Sequence, residues 1–454
     1  CSYNTAIGQE ALTANTTGAS NTAVGRNTLG ANSTGSENVA VGALALDANT
    51  TADFNTAFGS QALSSNTTGD SNTAIGRFAL PNNTTADNNT AVGRNCMAAN
   101  ITGDKNVAVG AIALDANTTG DHNVAVGYKA LTAATTAENN TALGYGAMEA
   151  NTTASNNTAV GMFALSFNTT GTRNVAVGQN ALAANTTFHN CTAVGWEAAK
   201  TVNGGTDTTA IGAYALQSLT TGNFNTAVGQ AALVTSTTGA SNTAMGVGAG
   251  RDVTTASNCV LIGVDAGADI TTGGGNTCIG EDAGDKITTG YANICLGENA
   301  DVDTARRIRA TIIGQDASTI AQNNTFRAIG DNGCFNSANS STWSTTSDER
   351  IKKNIVDHTK GLNIINQVKI RNFEYRTAEE ITDPSLAGKN VADIAVPKTG
   401  VQTGLIAQEI ELVRPEVIIT DDWGIKRVNR DELFWDMMKA IQELSAEVNA
   451  LKAA

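Results

Sequence analysis

Asn21-Thr22-Ala23-Val24-Gly25 is the stretch that decides the fold, because it returns with small changes at a fixed interval along most of the chain. Its glycine recurs at Gly8, Gly25 and Gly42, and the same step continues to Gly314, which gives 19 copies without an inserted or deleted residue. Self-similarity at a fixed period is the signature of a solenoid or another repeat array. Seventeen residues are too few for a helix-turn-helix repeat and match one coil of a β-solenoid.

Each repeat unit, such as Asn4 to Ser20, combines a strand signal with a turn signal. The pentapeptide Asn-Thr-Ala-Val-Gly is called the box below. Its Asn-Thr-Ala-Val part alternates polar and apolar residues, which is the strand period. The residue before the glycine is apolar in every copy and β-branched in most, so we expect it to point inward beside the alanine. Ala11-Leu12 predicts a second short extended segment. The Asn-Thr-Thr-Gly run predicts a turn in which glycine adopts a positive φ.

Stacked coils can bury a core that one coil cannot, because each coil pairs its backbone with the coils above and below. At a strand spacing of about 4.8 Å, the 19 coils predict a rod roughly 90 Å long. Identical residues then stack into ladders, among them an inward asparagine ladder that caps the turns. Cys278 and Cys295 lie one coil apart and should stack as buried thiols; whether they form a disulfide is left open by the spacing.

The repeat changes after Gly246. Ala-Gly pairs replace Ala-Leu in the following coils, and Leu261 and Ile312 replace the alanine of the box. Each coil therefore loses one large side chain and gains another. We expect the cross-section of the rod to change near residue 246.

The sequence thus predicts a mainly β protein in three parts. Residues 1–318 are expected to form a parallel β-solenoid, or β-roll, of 19 coils. Residues 319–346, rich in Asn, Ser and Thr, are expected to form a junction with short strands near 326–329. Residues 347–454, where Lys, Arg, Glu and Ile become frequent, are expected to form a small α+β domain that ends in a helix.

The Asn-Thr-Ala-Val-Gly and Asn-Val-Ala-Val-Gly boxes resemble the head repeats of trimeric adhesins of the YadA-like type. The resemblance covers about two thirds of the chain. It implies a left-handed parallel β-roll with three chains side by side. The head repeat of those adhesins is shorter than the repeat of this chain, so the handedness and the trimer packing are expectations that rest on the box.

Composition and charge exclude several classes of function. The net charge is −14 and no basic stripe is visible, which argues against nucleic acid and anionic membranes as partners. No run of about 20 apolar residues occurs, so no membrane insertion is expected. His122, His189 and His358 share no metal-ligand spacing, and no motif predicts a cofactor. No secretory signal is visible, and because residue 1 already lies in the repeat frame, we expect further chain before it.

The region after residue 347 alternates short helices and strands. Helices are predicted at 361–367, at 408–413, where Arg414-Pro415 stops the helix, and from about Asp431 to the end of the chain. Strands are predicted at 369–375, 415–420 and 425–428, the last two around the turn Asp422-Trp423-Gly424.

Apolar residues of the final helix recur at steps of 3, 4, 3, 4 and 3 residues: Phe434, Met437, Ile441, Leu444, Val448 and Leu451. This spacing is a heptad seam, which is typical of a coiled coil and predicts self-association. The alternative is an amphipathic helix that packs only on its own domain.

Ser347-Asp348-Glu349-Arg350-Ile351-Lys352-Lys353-Asn354-Ile355 is the most informative stretch of this region. Together with Gly404-Leu405-Ile406-Ala407-Gln408-Glu409, Arg414-Pro415-Glu416-Val417 and the heptads, it closely resembles the intramolecular chaperone domain of phage tailspikes and tail fibres. This is the peptidase S74 family, also present in endosialidases and in myelin regulatory factor. The resemblance covers about residues 340–454. It implies a domain that trimerises, guides the folding of the preceding fibre and then cuts itself off with a Ser-Lys dyad, to which Ser347 and Lys352 correspond.

The implied chemistry agrees with the acid–base behaviour of these side chains. A serine hydroxyl is a weak nucleophile that needs a base, and a lysine serves as one when burial lowers its pKa. Ser347 would attack the carbonyl carbon of Thr346, and the Thr346–Ser347 bond would break. Spacing alone favours a simpler interpretation, in which Ser347 and Asp348 cap a turn and Lys352 is a solvated charge. Lys353 is the alternative base.

Both resemblances together predict a homotrimeric phage tail-fibre or tailspike segment of the virion that binds a host cell-surface receptor, a glycan or a protein. The expected enzymatic activity is at most one self-cleavage per chain, and the shaft is not expected to be enzymatic. A bacterial surface adhesin with the same chaperone is one alternative. An ice-binding solenoid is another, and it requires a flat threonine face without charges such as Asp70, Asp87 and Asp104 beside it. A glycosidase is not supported, because no carboxylate pair stands out from the repeat.

Overall fold

The computed structural model describes residues 2–317, 326–328, 334–336, 356–377, 380–381, 400–420 and 426–453. The chain divides into two compact units, Cys1–Thr346 and Ser347–Ala454. The first unit contains the repeat, and the second contains the short helices and strands that follow it.

Every box forms one three-residue strand, and the strands follow each other at the period of the sequence. They are β1 (Thr5–Ile7), β2 (Thr22–Val24), β3 (Val39–Val41), β4 (Thr56–Phe58), β5 (Thr73–Ile75), β6 (Thr90–Val92), β7 (Val107–Val109), β8 (Val124–Val126), β9 (Thr141–Leu143), β10 (Thr158–Val160), β11 (Val175–Val177), β12 (Thr192–Val194), β13 (Thr209–Ile211), β14 (Thr226–Val228), β15 (Thr243–Met245), β16 (Val260–Ile262), β17 (Thr277–Ile279), β18 (Ile294–Leu296) and β19 (Thr311–Ile313).

Consecutive strands pair in parallel and in register along the whole series. Ala23 of β2 lies opposite Ala40 of β3, and Ala40 lies opposite Ala57 of β4. Since strands one repeat apart pair directly, each coil takes one repeat, and the predicted parallel β-solenoid is confirmed. After β19 come β20 (Phe326–Ala328), parallel to β19, and β21 (Cys334–Asn336), antiparallel to β20.

The middle residue of each strand faces the core, and the residue before the glycine faces outward. Ala23 and Ala57 are fully buried, whereas Phe58 is 56% exposed and Ile7 is 60% exposed. The prediction that the Val/Ile ladder points inward is therefore wrong. Side chains alternate between the two faces of a strand, so the first and third residues share the outer face. Only the small alanine enters the coil, where the leucine of the Ala-Leu pair already fills the space.

The Ala-Leu pair belongs to a turn, so the predicted second extended segment is also wrong. Ala45 and Leu46 are fully buried, but Leu44 and Leu46 have φ values of 60° and 52°. The N–H of Leu46 donates to the carbonyl of Ala62 in the next coil (3.1 Å), and the N–H of Leu44 donates to Arg26 in the previous coil (2.9 Å). A left-handed residue other than glycine costs about 1–2 kcal/mol. Hydrogen bonds to both neighbouring coils hold the chain in this conformation.

Two ladders of buried asparagine side chains bond the backbone of the turns, as predicted. Asn38 of the box donates from Nδ2 to the carbonyl of Ala52 (2.8 Å), and its Oδ1 accepts the N–H of Asn55 (2.9 Å). The asparagines of the Asn-Thr-Thr-Gly run form the second ladder, in which Asn49 Nδ2 donates to Oδ1 of Asn32 at 2.8 Å. These bonds supply partners to buried polar groups that would otherwise destabilise the rod by about 1–3 kcal/mol each.

The glycine of the Asn-Thr-Thr-Gly turn does not adopt the predicted positive φ. The φ of Gly35 lies outside the positive region, and alanine takes the same position at Ala52. The left-handed residue of this turn comes two positions later, as at Glu37 with a φ of 58°. Glycine is instead required in the box, because Gly25 has a φ of 141° that other residues rarely adopt.

Near residue 246 the core exchanges one ladder of large side chains for another. Leu233 precedes Gly250 in the ladder of the Ala-Leu pair, and a Cβ on Gly250 would lie 2.6 Å from Cδ1 of Leu261. Leu261 takes the alanine position of the box and is fully buried. The predicted exchange of large side chains is found at this coil, where the large side chain has moved from the turn to the strand; the change of cross-section stays a prediction.

The described cysteines of the rod are buried free thiols. Cys278 of β17 lies opposite Cys295 of β18, and no disulfide joins this pair. A hydrogen bond with Cys295, together with burial, raises the pKa of Cys278 well above its usual value. Burial raises the pKa of Cys96 to about 12 and the pKa of Cys191 to about 11. Thiols with raised pKa values are poor nucleophiles, so these residues act in packing.

The second unit is a small α+β arrangement whose described elements are α1 (Leu362–Ile365), β22 (Arg371–Phe373), β23 (Gln402–Gly404), α2 (Ala407–Glu411), a 3₁₀ turn (Pro415–Val417), β24 (Ile418–Thr420), β25 (Lys426–Val428) and α3 (Arg430–Ala453). β22 pairs with β23 and β24 pairs with β25, both antiparallel. The predicted elements are found, with two differences: no pattern predicts β23, and the strand expected from Pro415 begins only at Ile418. Proline fixes φ and lacks an N–H, so it favours the turn.

Replacing the box glycine should destabilise the rod much more than replacing a glycine elsewhere in the coil. Gly110 has a φ of 137°, and a Cβ there would lie 2.5 Å from the carbonyl oxygen of Gly127. We expect Gly110→Ala to lower the free energy of unfolding by at least about 2 kcal/mol, measured by urea unfolding followed by circular dichroism. Gly30→Ala is the control, because the nearest atom would lie 3.4 Å away and its effect should stay below about 1 kcal/mol. Equal losses in the two variants would contradict this explanation.

Candidate functional site

The predicted catalytic residues, Ser347 and Lys352, lie outside the residues that the structure describes, as do Thr346 and Lys353. The dyad and the cleavage site therefore stay predictions. The described part of the same unit contains three features that bear on function: a buried charge network, a second anchor for the last helix, and an exposed apolar seam.

The charge network joins three segments of the second unit around Asp436. Arg414 Nε and Nη2 donate to the two carboxylate oxygens of Asp436 at 2.8 and 3.0 Å, and His358 Nε2 lies 2.6 Å from Oδ1. Asp436 lies in the second turn of α3 and its side chain is fully buried, while Arg414 directly precedes the 3₁₀ turn and is almost as buried. Arg414 also contacts Glu416 at 2.6 Å.

The partners of Asp436 keep its carboxylate charged. Burial alone would raise the pKa of Asp436, but the hydrogen bonds from Arg414 and His358 outweigh burial and hold the pKa below its usual value. The same bond raises the pKa of Arg414. The ionised carboxylate bonds to both Arg414 and His358, so it anchors α3 to the two segments that carry these residues.

Two further contacts link elements of the second unit, one between α3 and α1 and one between β22 and α2. The carboxylate of Glu443 accepts the N–H of Leu362 at the start of α1 (2.7 Å). A Cβ on Gly361 would lie 2.4 Å from that carboxylate, so a larger residue there would require the Glu443 side chain to shift. Arg371 of β22 donates to both oxygens of Glu409 in α2 at 2.7 and 3.0 Å. Glu443 thus holds the middle of α3 against α1, and the Arg371–Glu409 pair joins β22 to α2 within the same unit.

The apolar seam of α3 is exposed to solvent. Ile441 is 55% exposed and Leu444 is 50% exposed, and every described residue from Leu444 to the end of the helix is exposed. The other members of the seam are exposed as well: Phe434, Met437, Val448 and Leu451. The second half of α3 is therefore a helix with an apolar stripe that the described residues of its unit do not cover.

The outer face of the rod's sheet is uncharged. In all 19 strands this face is formed by the first residue, which is Thr, Val or Ile, and by the third residue, which is apolar. A ladder of acidic residues lies a few residues before the strands in β4 to β8. There the N–H of Asp53 donates to the carboxylate of Asp70, and the N–H of Asp70 to Asp87, both at 2.7 Å.

Within the described ranges, no helix has the length and apolar character needed to cross a bilayer. The His, Cys, Asp and Glu side chains of those ranges likewise form no group of three or more that could hold a metal ion.

The network around Asp436 is what sequence reasoning missed. In the sequence Arg414 is recognisable only as part of a helix stop, and Asp436 lies between the seam residues without belonging to them. The partners are 22 and 78 residues apart, and no periodic pattern connects positions so distant. A charged residue close to the apolar residues of an amphipathic helix was the available signal.

Comparison with known families finds a match in the second unit. Residues 347–419 match the family model Peptidase_S74, described as chaperone of endosialidase. The match supports a C-terminal intramolecular chaperone domain, and with it self-association of the chain. No curated protein and no solved structure matches this sequence.

Removing the charge of Asp436 should loosen α3. We expect Asp436→Asn to remove the buried counter-charge of Arg414, which then keeps only the partly exposed carboxylates of Glu416 and Glu432, at a cost of up to about 3 kcal/mol, and to speed hydrogen exchange in peptides from 430–453, measured by mass spectrometry. Because the folded pKa of Asp436 is below the unfolded one, the wild-type protection is complete at neutral pH and is lost as the pH falls below about 4. Glu447→Gln, on the exposed part of the helix, is the control. Unchanged exchange in Asp436→Asn would refute the anchoring role.

Proposed function

We propose that this chain is a structural and receptor-binding segment of a homotrimeric phage tail fibre or tailspike, located in the virion. Its C-terminal domain directs trimerisation and folding and then cuts the chain between Thr346 and Ser347. The observation that carries the proposal is the match of residues 347–419 to the chaperone of endosialidase family, in a chain whose preceding part is one long repeat array.

The repeat array creates the need for such a chaperone. A slip of one coil between two chains preserves nearly all contacts, because the 19 strands differ little. Coils also offer unpaired backbone edges to other chains during folding. The register must therefore be set at a non-repetitive end, and the second unit, Ser347–Ala454, is the non-repetitive unit of this chain.

The exposed half of α3 supports association through this unit. An isolated helix as short as the exposed half of α3 is marginal in water. Its apolar stripe at heptad spacing is covered when it packs against the same stripe of other copies. A copy number of three follows from both sequence resemblances. The uncharged outer face of the rod adds support, because rods can pack side by side on it without burying a charge.

The cleavage chemistry balances with the two predicted residues. Ser347 Oγ attacks the carbonyl carbon of Thr346, Lys352 takes the hydroxyl proton and passes it to the nitrogen of Ser347, and the C–N bond breaks. The resulting ester is then hydrolysed by water. Both residues lie within the matched segment.

The acidic ladder weighs against the ice-binding alternative. Asp70 is exposed and stands in the sequence between the exposed Thr68 and the half-buried Thr73, which begins β5. An ice-binding face needs flat threonine rows without charges beside them, and Asp53, Asp70 and Asp87 interrupt such a surface here.

Two charges placed in the seam should prevent assembly. We expect Ile441→Asp combined with Leu444→Asp to convert a trimer into monomers and aggregates, because the charges would be buried between helices, measured by light scattering and by soluble yield. A chain that ends at Thr346 should behave in the same way when it folds alone. Gln442→Asp, outside the seam on the same helix, is the control. Trimers in good yield from the double variant or from the shortened chain would rule out the chaperone function.

Loss of the nucleophile should stop cleavage without preventing assembly. We expect the wild type to yield a fragment that ends at Thr346, and Ser347→Ala and Lys352→Ala to remain whole, as read from intact mass. Both variants should still form soluble trimers, because neither substitution touches the seam. A cut at Thr346–Ser347 in Ser347→Ala would show that the dyad is assigned to the wrong residues. An uncut wild type would show that the domain does not cleave itself.

A further inference from the structure

One side of the rod carries a cavity of about 530 Å³ between the coils of β9 and β12. This volume lies within the range of pockets that bind small molecules. We propose that the cavity binds one sugar residue of a neutral glycan. This inference rests on the receptor-binding role proposed for the rod, but on neither the chaperone nor the cleavage.

The cavity is a gap in a ladder of side chains. Five residues after the box glycine, successive coils carry Glu149, Ser166, Ala183 and Lys200. The two small residues in the middle leave space between the two long ones, which are three coils or roughly 14 Å apart. Ser166 and Ala183 are buried and form the floor, and Glu149 and Lys200 form the ends.

Aromatic rings form the walls and continue beyond them. Phe163 and Phe167 line the cavity, and Phe167 is 63% exposed. Tyr145 contacts Phe163 edge to face at 5.2 Å between ring centroids and stacks on Tyr128 at 5.5 Å. Trp196 lies farther along the same rod and is also exposed. In a rod built from small residues these rings add nothing to the core, so an exposed aromatic cluster beside a cavity indicates a binding surface.

The charges around the cavity already have partners. Glu149 is bonded to Lys129 at 3.0 Å, and Glu197 is bonded to Lys200 at 2.9 Å and to Gln217 at 2.5 Å. The hydrogen bond from Lys200 lowers the pKa of Glu197. A charged ligand would have to displace one of these partners. A neutral ligand can use the remaining acceptor and donor positions of the fixed side chains.

A pyranose ring has the matching chemistry. Its apolar C–H face can lie against the ring of Phe163, and its rim of hydroxyl groups can bond to Glu149, Lys200 and the amide of Asn180, which also lines the cavity. Apolar walls with a few convergent polar groups are the general form of a small-molecule site.

The test uses the full chain and an array of neutral oligosaccharides of glucose, galactose, mannose and N-acetylhexosamines, with sialylated and sulfated oligosaccharides as charged probes. Hits are measured again in solution by titration calorimetry. We expect binding to at least one neutral oligosaccharide, weakened at least tenfold by Ala183→Gln, which fills the gap, and by Phe163→Asn, which removes the wall. Long side chains already occupy the position of Ala183 in other coils, and asparagine occupies that of Phe163 at Asn180, so both variants should fold.

Ala98→Gln and Phe78→Asn are the matched controls, because they make the same changes at the same repeat positions in distant coils; they should bind as the wild type does. Binding only to charged probes, no binding, or equal losses in test and control variants would overturn the inference. Binding of a peptide displayed beside the glycans, lost in Ala183→Gln, would replace the sugar by a protein ligand.

The mass of the same preparation reports assembly separately, so a trimer that binds no sugar refutes the cavity's role and does not contradict the chaperone function. Cavity-dependent binding by a monomer supports the inference and counts against the trimer.

Discussion

Hydrogen bonds from each coil to the coils on both sides are the interaction on which the rest of the structure depends. They run through the parallel strands and continue in the turns, where Leu44 and Leu46 bond in opposite directions along the rod. The asparagine side chains extend the same bonding into the interior. An inserted residue would break this pattern in every ladder it crossed, which explains why the period holds without exception from Gly8 to Gly314.

This bonding scheme constrains the inside of the coil and leaves the outside free. Inside, volumes must balance between neighbouring coils: where Gly250 replaces leucine, Leu261 of the next coil fills the space from the strand. Outside, the residue at a given position can change from coil to coil with no effect on the ladders. The neutral sheet face, the acidic ladder near Asp70 and the aromatic cluster near Phe163 all occupy such outward positions. Specific function in the rod therefore depends on departures from the repeat.

Because its coils are nearly identical, the rod cannot set the register between neighbouring chains. The second unit differs from the rod because it is not repetitive. Its charges are distinct, paired and partly buried, so that Arg414 and Asp436 fix one position of α3 on the domain. The helix then continues beyond its own domain with an uncovered seam. A rigidly held helix that ends in an association surface is suited to bring chains together at a defined starting point.

The sequence by itself determined the period, the place of each strand, the parallel solenoid, the positions of most elements after residue 347 and the heptad seam. These features follow from spacing, which is local and repeats. Only the tertiary structure decided that the Val/Ile ladder points outward, that Ala-Leu lies in a turn, that Arg414 meets Asp436 and that Ser166 and Ala183 leave a cavity. A three-residue strand alternates equally well with either face inward, and the choice depends on how much volume the closed coil can hold. Contacts between distant residues and gaps between side chains likewise exist only once the coils are stacked, because they are properties of the space between segments.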